Sequence, residues 1–406
     1  MIKKASLLAL VICLLLTVLS PSLIQARTGL TLLSSSAQVE FPSRFIFNMS
    51  AESDVNITGV RLCYTVDRVS FAQVTSEVCI EFVPTTTVDV SWALEMVRIG
   101  GLPPGSSIKY WWIIEDGKGE KIKTTPAQLQ FDDTRYSWHS LTEGKVTIYW
   151  YEGEESFVRE LMAAAQQALT KLGQNTGAYL ERPAKLYIYA DAQDLQGAMI
   201  YPQEWTGGVA FTRYGIMAIG IAPDNLSWGK RAIAHELAHL VIHQMTLNPY
   251  NSLPTWLDEG LAMYAEGPLV PLYKAYLDKA IAEDNLISVR SLSSPFSAYT
   301  EESLLSYAQS YSLVEFLITS YGQDMMLELL LIFKQGSSYD EALGKAYGFD
   351  MDGLDALWRD YITVPTQPVE KELMPPALIG VISALAAVLL LWLGLAIESW
   401  AWRRGW

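Results

Sequence analysis

Basic residues, cysteine and histidine are all scarce in this chain of 406 residues. Lysine and arginine number 29 against 44 aspartates and glutamates, a formal net charge of −15, and no basic block interrupts the acidic surplus. Such a field repels a phosphate backbone, so no nucleic-acid partner is expected. No repeat of fixed period stands out. Of the three cysteines, Cys13 falls in an N-terminal apolar run, which leaves Cys63 and Cys79 to the rest of the chain. In an oxidising compartment an even pair is free to form a disulfide; two separately buried thiols are the alternative. Half the residues are hydrophobic, and the length gives room for two globular domains besides any membrane segment.

The two ends carry the long apolar runs. Met1-Ile2-Lys3-Lys4 leads into an uncharged stretch from about Leu7 to Leu19, then Pro21 and Ala26, the layout of a secretory signal over residues 1–26. Cleavage after Ala26 is expected, although the bulk of Ile24 keeps an uncleaved anchor open. Residues 377–397 hold no charge, enough at 1.5 Å per residue to cross a hydrocarbon core of ~30 Å. Trp400, Trp402 and Arg403-Arg404 follow, which puts a tail, 398–406, on the cytoplasmic side. A single-pass protein of the cell membrane is expected, with everything between the two runs outside the cytoplasm; a buried core helix is the competing reading of 377–397.

Between the runs the pattern changes once. Residues 27–140 read as short segments rich in Val, Ile, Thr and aromatics broken by turns such as Pro103-Pro104-Gly105, the pattern of an all-β sandwich of immunoglobulin or fibronectin kind. Strands are expected at Val60–Val66, Val78–Phe82 and Ile108–Ile114, with Trp111 and Trp112 on opposite faces. Residues 145–362 read as α+β: strands at Val146–Tyr151, Lys185–Tyr189, Gly208–Thr212 and Ile216–Ile221, a helix from Glu155 to Leu172, and mainly helix beyond Ser227. A proline-rich spacer, 363–376, joins this part to the apolar run.

The chemistry concentrates on His235-Glu236-Leu237-Ala238-His239. Residues four apart share a helix face, so both imidazoles reach one ion while Glu236 stands beside it, placed as a general base. The chain has four histidines, and His235, His239 and His243 all lie on this helix. Pro254-Thr255-Trp256-Leu257-Asp258-Glu259-Gly260 offers a carboxylate on a second helix that turns back near Asn248-Pro249. His235, His239 and Glu259 would leave a fourth coordination place on Zn²⁺ for water. His243 is read as a packing or hydrogen-bonding residue, Asp258 as half of a capping box with Thr255 or as a support for a ligand histidine, and Glu266 as a substitute ligand.

These two motifs resemble those of the gluzincin metallopeptidases, and in particular the peptidase-MA-like families, over about Val146 to Tyr361. Trp256-Leu257-Asp258-Glu259-Gly260-Leu261-Ala262 has the form of their glutamate helix. The glycine and third histidine of the metzincin motif are missing. The resemblance implies a thermolysin-like fold, a Zn²⁺ cofactor and hydrolysis of a peptide or protein substrate. It also implies Tyr307 as oxyanion donor, with Tyr311 in reserve; a packing or surface tyrosine is the alternative for either. Gly207, Gly208, Val209 and Ala210 resemble the edge strand that holds substrate backbone. Val209 and Ala210 stand where aminopeptidases of this group carry a glutamate, so endopeptidase action is expected. A catalytically silent zinc-binding surface protein and an aminopeptidase stay open as alternatives, and the β domain is assigned a protein or cell-envelope partner.

Overall fold

The computed structural model describes residues 29–202, 207–297 and 299–363. The chain divides into two compact units, Met1–Gly353 and Leu354–Trp406, the second described only as far as Thr363. The expected signal, transmembrane run and tail, and all but the first residue of the spacer, lie outside the described residues. Among the described residues no single helix is long and apolar enough to cross a membrane.

The first half of unit 1 is built from β1 (Thr31–Glu40), β2 (Arg44–Glu52), β3 (Ile57–Val66), β4 (Ser76–Cys79), β5 (Thr87–Glu95), β6 (Ser106–Asp116), β7 (Lys121–Lys123) and β8 (Ala127–Phe131). One sheet runs β1-β2-β5; the other runs β4-β3-β6-β7, with β8 also on β6. Strict alternation explains the layering. Phe45, Phe47, Met49 and Ala51 of β2 and Ile108, Tyr110, Trp112 and Ile114 of β6 turn to a common apolar core, where Phe47 meets Tyr110 edge-on at 5.0 Å. Trp112 is buried there, while Trp111 on the opposite face has Lys123 over its ring at 5.1 Å.

Cys63 and Cys79 do not pair. The antiparallel register sets Cys63 opposite Glu77 and Cys79 opposite Arg61, so the two thiols are diagonal rather than facing. One is buried and the other exposed.

The second half is organised on one five-stranded sheet, β12-β13-β11-β10-β9. Its strands are β9 (His139–Glu143), β10 (Val146–Trp150), β11 (Ala184–Tyr189), β12 (Gly208–Phe211) and β13 (Ile216–Gly220). The sheet thus begins ahead of Lys145, because β9 pairs antiparallel with β10. The β10, β11 and β13 strands are parallel neighbours, and β12 closes one edge antiparallel to β13. Apart from Lys185, β11 is apolar or aromatic because both of its faces are covered. Tyr187 and Tyr189 meet an aromatic layer that includes Tyr136, Trp138 and Tyr149. That layer keys the sheet to the first half: Lys185 Nζ donates to Gly105 O at 3.1 Å and Tyr189 OH to Asp133 Oδ2 at 3.0 Å.

Besides three α-helices of four or five residues, the α-helices among the described residues are α1 (Glu155–Thr176), α2 (Leu226–Thr246), α3 (Thr255–Glu266), α4 (Pro271–Ala282), α5 (Thr300–Tyr321), α6 (Gln323–Lys334), α7 (Tyr339–Tyr347) and α8 (Met351–Thr363). Gly260 brings α3 against α5: a Cβ there would lie 2.4 Å from Ser310 O. A glycine inside a helix costs about 1 kcal/mol against alanine, and this close approach is what it permits.

Candidate metal centre

Successive turns of α2 align His235, His239 and His243 along one face. Asn248 accepts from the backbone N–H groups of Tyr250 and Asn251 and so fixes the turn between α2 and α3. The returning helix then lays Asp258, Glu259 and Glu266 against the histidines.

Both ring nitrogens of His235 and of His239, and Nε2 of His243, have a defined neighbour. His235 Nδ1 is 2.8 Å from Glu266 Oε1, and His239 Nδ1 is 3.0 Å from Asp258 Oδ1. Asp258 Oδ2 takes His243 Nε2 at 2.9 Å, and Arg231 holds the second oxygen of Glu266 at 2.7 Å. With both Nδ1 atoms donating to carboxylates, the two Nε2 atoms are left as acceptors, and they face each other at 3.3 Å. Glu259 Oε2 completes the group at 3.4 Å from His235 Nε2 and 3.7 Å from His239 Nε2. That oxygen is buried without a hydrogen-bond partner.

With both rings neutral, three acceptors converge on one point, an arrangement satisfied by a bound metal cation or by a proton on Nε2. Tetrahedral ligation at about 2.0–2.1 Å spaces donor atoms about 3.3–3.4 Å apart, so the group fits Zn²⁺. His235, His239 and Glu259 can hold a metal ion. The combination His239, His243 and Asp258 is also close enough to do so, but its facing atoms already bond to one another.

The electrostatics agree. Burial opposes a charge on His235, yet the facing carboxylates of Glu259 and Glu266 and the charge of Glu236 push the ring up to about 10. His239, equally desolvated, is pushed up to about 9 by Asp258 and Glu259. Burial would raise Asp258, but the charge and hydrogen bond of His239, helped by His243, hold it well below the usual carboxylate range. Burial raises Glu236. The pocket therefore seeks positive charge and keeps a carboxyl of elevated proton affinity beside it.

The remaining expected residues separate. Glu236 lies against β12, where a Cβ on Gly208 would come within 2.9 Å of its Oε1. A Cβ on Gly207 would lie 3.5 Å from the Trp228 ring. Val209 packs with Phe211 on the aromatic layer, so alternation turns Ala210, not Val209, to the side of Gly208. The Tyr307 ring lies 6.4 Å from that of His235 and stands edge-on to Phe296 at 5.2 Å. Burial and the charge of Glu259 keep its phenol protonated. Tyr311 faces elsewhere, beside Tyr264, with its hydroxyl 3.2 Å from Glu315.

Asp258 corrects an expectation. Pro254 is the N-cap of α3 and no side chain caps it, while Thr255 Oγ1 donates to Ser293 O at 3.3 Å. Freed from a capping box, Asp258 bridges two histidines. Glu266 is likewise not a ligand but the partner of His235 Nδ1. The signal for both was the need of a ligand histidine for a carboxylate on its far nitrogen.

Two cavities flank the group. One of about 690 Å³ is lined by Glu259, Tyr273, Phe296 and Tyr307. The other, of about 270 Å³, lies past His243, against Thr212, Arg213 and Leu253.

Residues 164–364 match the family model described as the Peptidase MA superfamily. The chain therefore carries a metallopeptidase domain of this superfamily, of the gluzincin-like kind. No curated protein matches. Among solved structures, the M1 zinc metallopeptidase of Deinococcus radiodurans is 13% identical, with 82% of this chain and 94% of that one covered at a TM-score of 0.33. Aminopeptidase A of Legionella pneumophila in complex with aspartic acid is 12% identical over 82% of this chain and 50% of that one, TM-score 0.36. OgpA of Akkermansia muciniphila is 7% identical over 28% of this chain, TM-score 0.20, and only 31% of its own length is spanned. The assignment rests on the family match and on the geometry of the histidine–carboxylate group.

Proposed function

We propose that this protein is a membrane-anchored zinc endopeptidase acting outside the cytoplasm on peptides or proteins. The orphaned Glu259 Oε2, facing two acceptor nitrogens, carries the reading. His235, His239 and Glu259 hold the ion, with Glu266 and Asp258 fixing the rings. When bound, zinc supplies a Lewis acid that brings the pKa of water toward ~7.

Glu236 takes the proton of the attacking water and passes it to the leaving amine, a task suited to a carboxyl raised by burial. Tyr307 keeps its proton and donates to the oxyanion. The free edge of β12 pairs with extended substrate, and Gly208 lets that strand approach Glu236. Ala210 presents no carboxylate to a free amino terminus, which favours internal cleavage. The cavity beside Tyr307 receives an apolar side chain between Tyr273 and Phe296.

The anchor and the outward orientation are supported by the uncharged run 377–397 and the arginines after it. Among the described residues the β region carries no metal-binding cluster, and it is proposed to bind a protein or envelope polymer. Metal analysis and peptide digestion by the purified full chain test the enzyme reading. One zinc per chain and cleavage abolished in Glu236→Gln are expected; absence of zinc, or cleavage untouched by that change, overturns it.

A further inference from the structure

Arg68, Arg182 and Arg213 form no ion pair with a carboxylate among the described residues, and they stand together in a chain whose net charge is −15. Arg68 follows β3, Arg182 precedes β11 and Arg213 follows β12. All three line one hollow, where Asp67 is the sole acidic residue. The hollow shares Val69, Arg182, Thr212, Arg213 and Gln244 with the cavity past His243. Glu181, at the same cavity, is already engaged 3.7 Å from Lys334. Elsewhere several exposed cations are paired: Arg61 with Glu77, Lys118 with Asp54, and Arg290 with Asp340 and Asp352.

The backbone under the arginines is pinned. Val69 N–H donates to Arg213 O at 2.7 Å, and Gln244 Oε1 accepts from Arg182 N at 2.9 Å. The β region and the peptidase sheet thus build the hollow jointly.

Two elements lead to it from the metal group. Along α2, His243 lies one turn, ~5.4 Å, beyond His239. Along β12, the chain passes from Gly208 against Glu236 to Thr212 and Arg213 at the hollow. At ~3.3 Å per residue, that separation is spanned by roughly three to five residues of extended peptide. β12 ends the sheet, and among the described residues no strand pairs with its outer edge.

We infer that Arg182 and Arg213, with Arg68 from the β region, form a subsite for an aspartate or glutamate side chain of the substrate, some three to five residues from the scissile bond. A cationic hollow repels the ammonium of a free amino terminus and admits an acidic stretch inside a longer chain. This rests on the endopeptidase reading and names the class of peptide it acts on.

Internally quenched peptides in which one glutamate or one lysine is moved along a neutral sequence provide the test, with the full-length protein in detergent. Charge-assisted contacts predict that glutamate at the responsive positions raises kcat/KM by about tenfold over lysine. Arg182→Gln with Arg213→Gln should erase that ratio, and Arg182→Glu with Arg213→Glu should invert it toward lysine, a gain that misfolding cannot mimic. In parallel, anisotropy of the labelled peptides on the Glu236→Gln protein reads binding without turnover and should rank them alike. If no peptide is cut, the endopeptidase reading falls while the anisotropy still decides the subsite. Equal binding of the glutamate and lysine peptides, or a charge reversal that moves nothing, overturns it.

Discussion

Buried carboxylates are treated in opposite ways in the two halves of unit 1. In the β region Asp116 accepts from Ser53 Oγ at 3.0 Å and from the N–H groups of Lys118 and Glu120 at 2.9 Å each. Asp133, at the junction with the peptidase sheet, is saturated by Arg135 and Tyr189. Glu259, on α3, keeps one buried oxygen with no donor at all. A carboxylate that serves the fold is fully bonded, whereas the one that serves a ligand is held short of satisfaction by its neighbours.

The sharpest way to break that contrast is to neutralise one member of each class. Glu259→Gln should abolish stoichiometric zinc and peptide cleavage while the chelated protein keeps its fold, read by circular dichroism. Asp133→Asn should do the reverse, costing about 1–3 kcal/mol in denaturant unfolding with metal content intact. Next in size, Glu236→Gln should lower kcat/KM by about 10²–10⁴-fold with zinc retained, measured by metal analysis beside steady-state kinetics.

Asp258→Asn and Glu266→Gln act through the rings they orient, and each should weaken zinc about 10–100-fold in a competition titration against a chelator. A smaller effect carries a sign. His235 and His239 are raised from 6.5 to about 10 and about 9. In chelated protein the stability from these ion pairs is therefore fully present below pH ~6.5 and lost as pH rises through 9 to 10. With zinc the direction reverses, because ligation needs the unprotonated rings and strengthens as pH rises. Melting curves across pH with and without chelator should diverge accordingly; parallel curves would remove the histidines from the account. Least of all, Tyr311→Phe should change kcat/KM by less than about twofold, since its hydroxyl reaches Glu315 and not the metal group.

The features readable in the sequence were the local ones. His235 and His239 are four apart on one helix, and Glu259 follows within a single helix–turn–helix, so spacing alone brought them together. Alternation likewise announced strands such as β6. Longer-range pairings were hidden. The register that sets Cys63 against Glu77 depends on how the chain returns from β3 to β4, which composition does not encode. The β9 strand is nearly all exposed, so it lacks the apolar rhythm that marks β10. Asp258 fitted a local capping rule until Pro254 took the cap position. Arg68, Arg182 and Arg213 come from three distant segments and meet only after the sheet and the sandwich have joined.

That joint has a further meaning. Gly105 adopts a φ of +73°, and a Cβ on it would fall 2.0 Å from the Tyr187 hydroxyl, so the two halves interlock like a tenon in its mortise. Severing them would strip Tyr187, Tyr189 and Trp138 of their cover and remove the Arg68 wall from the groove. The β half is thus no detachable accessory: it is held against the peptidase half in one fixed orientation.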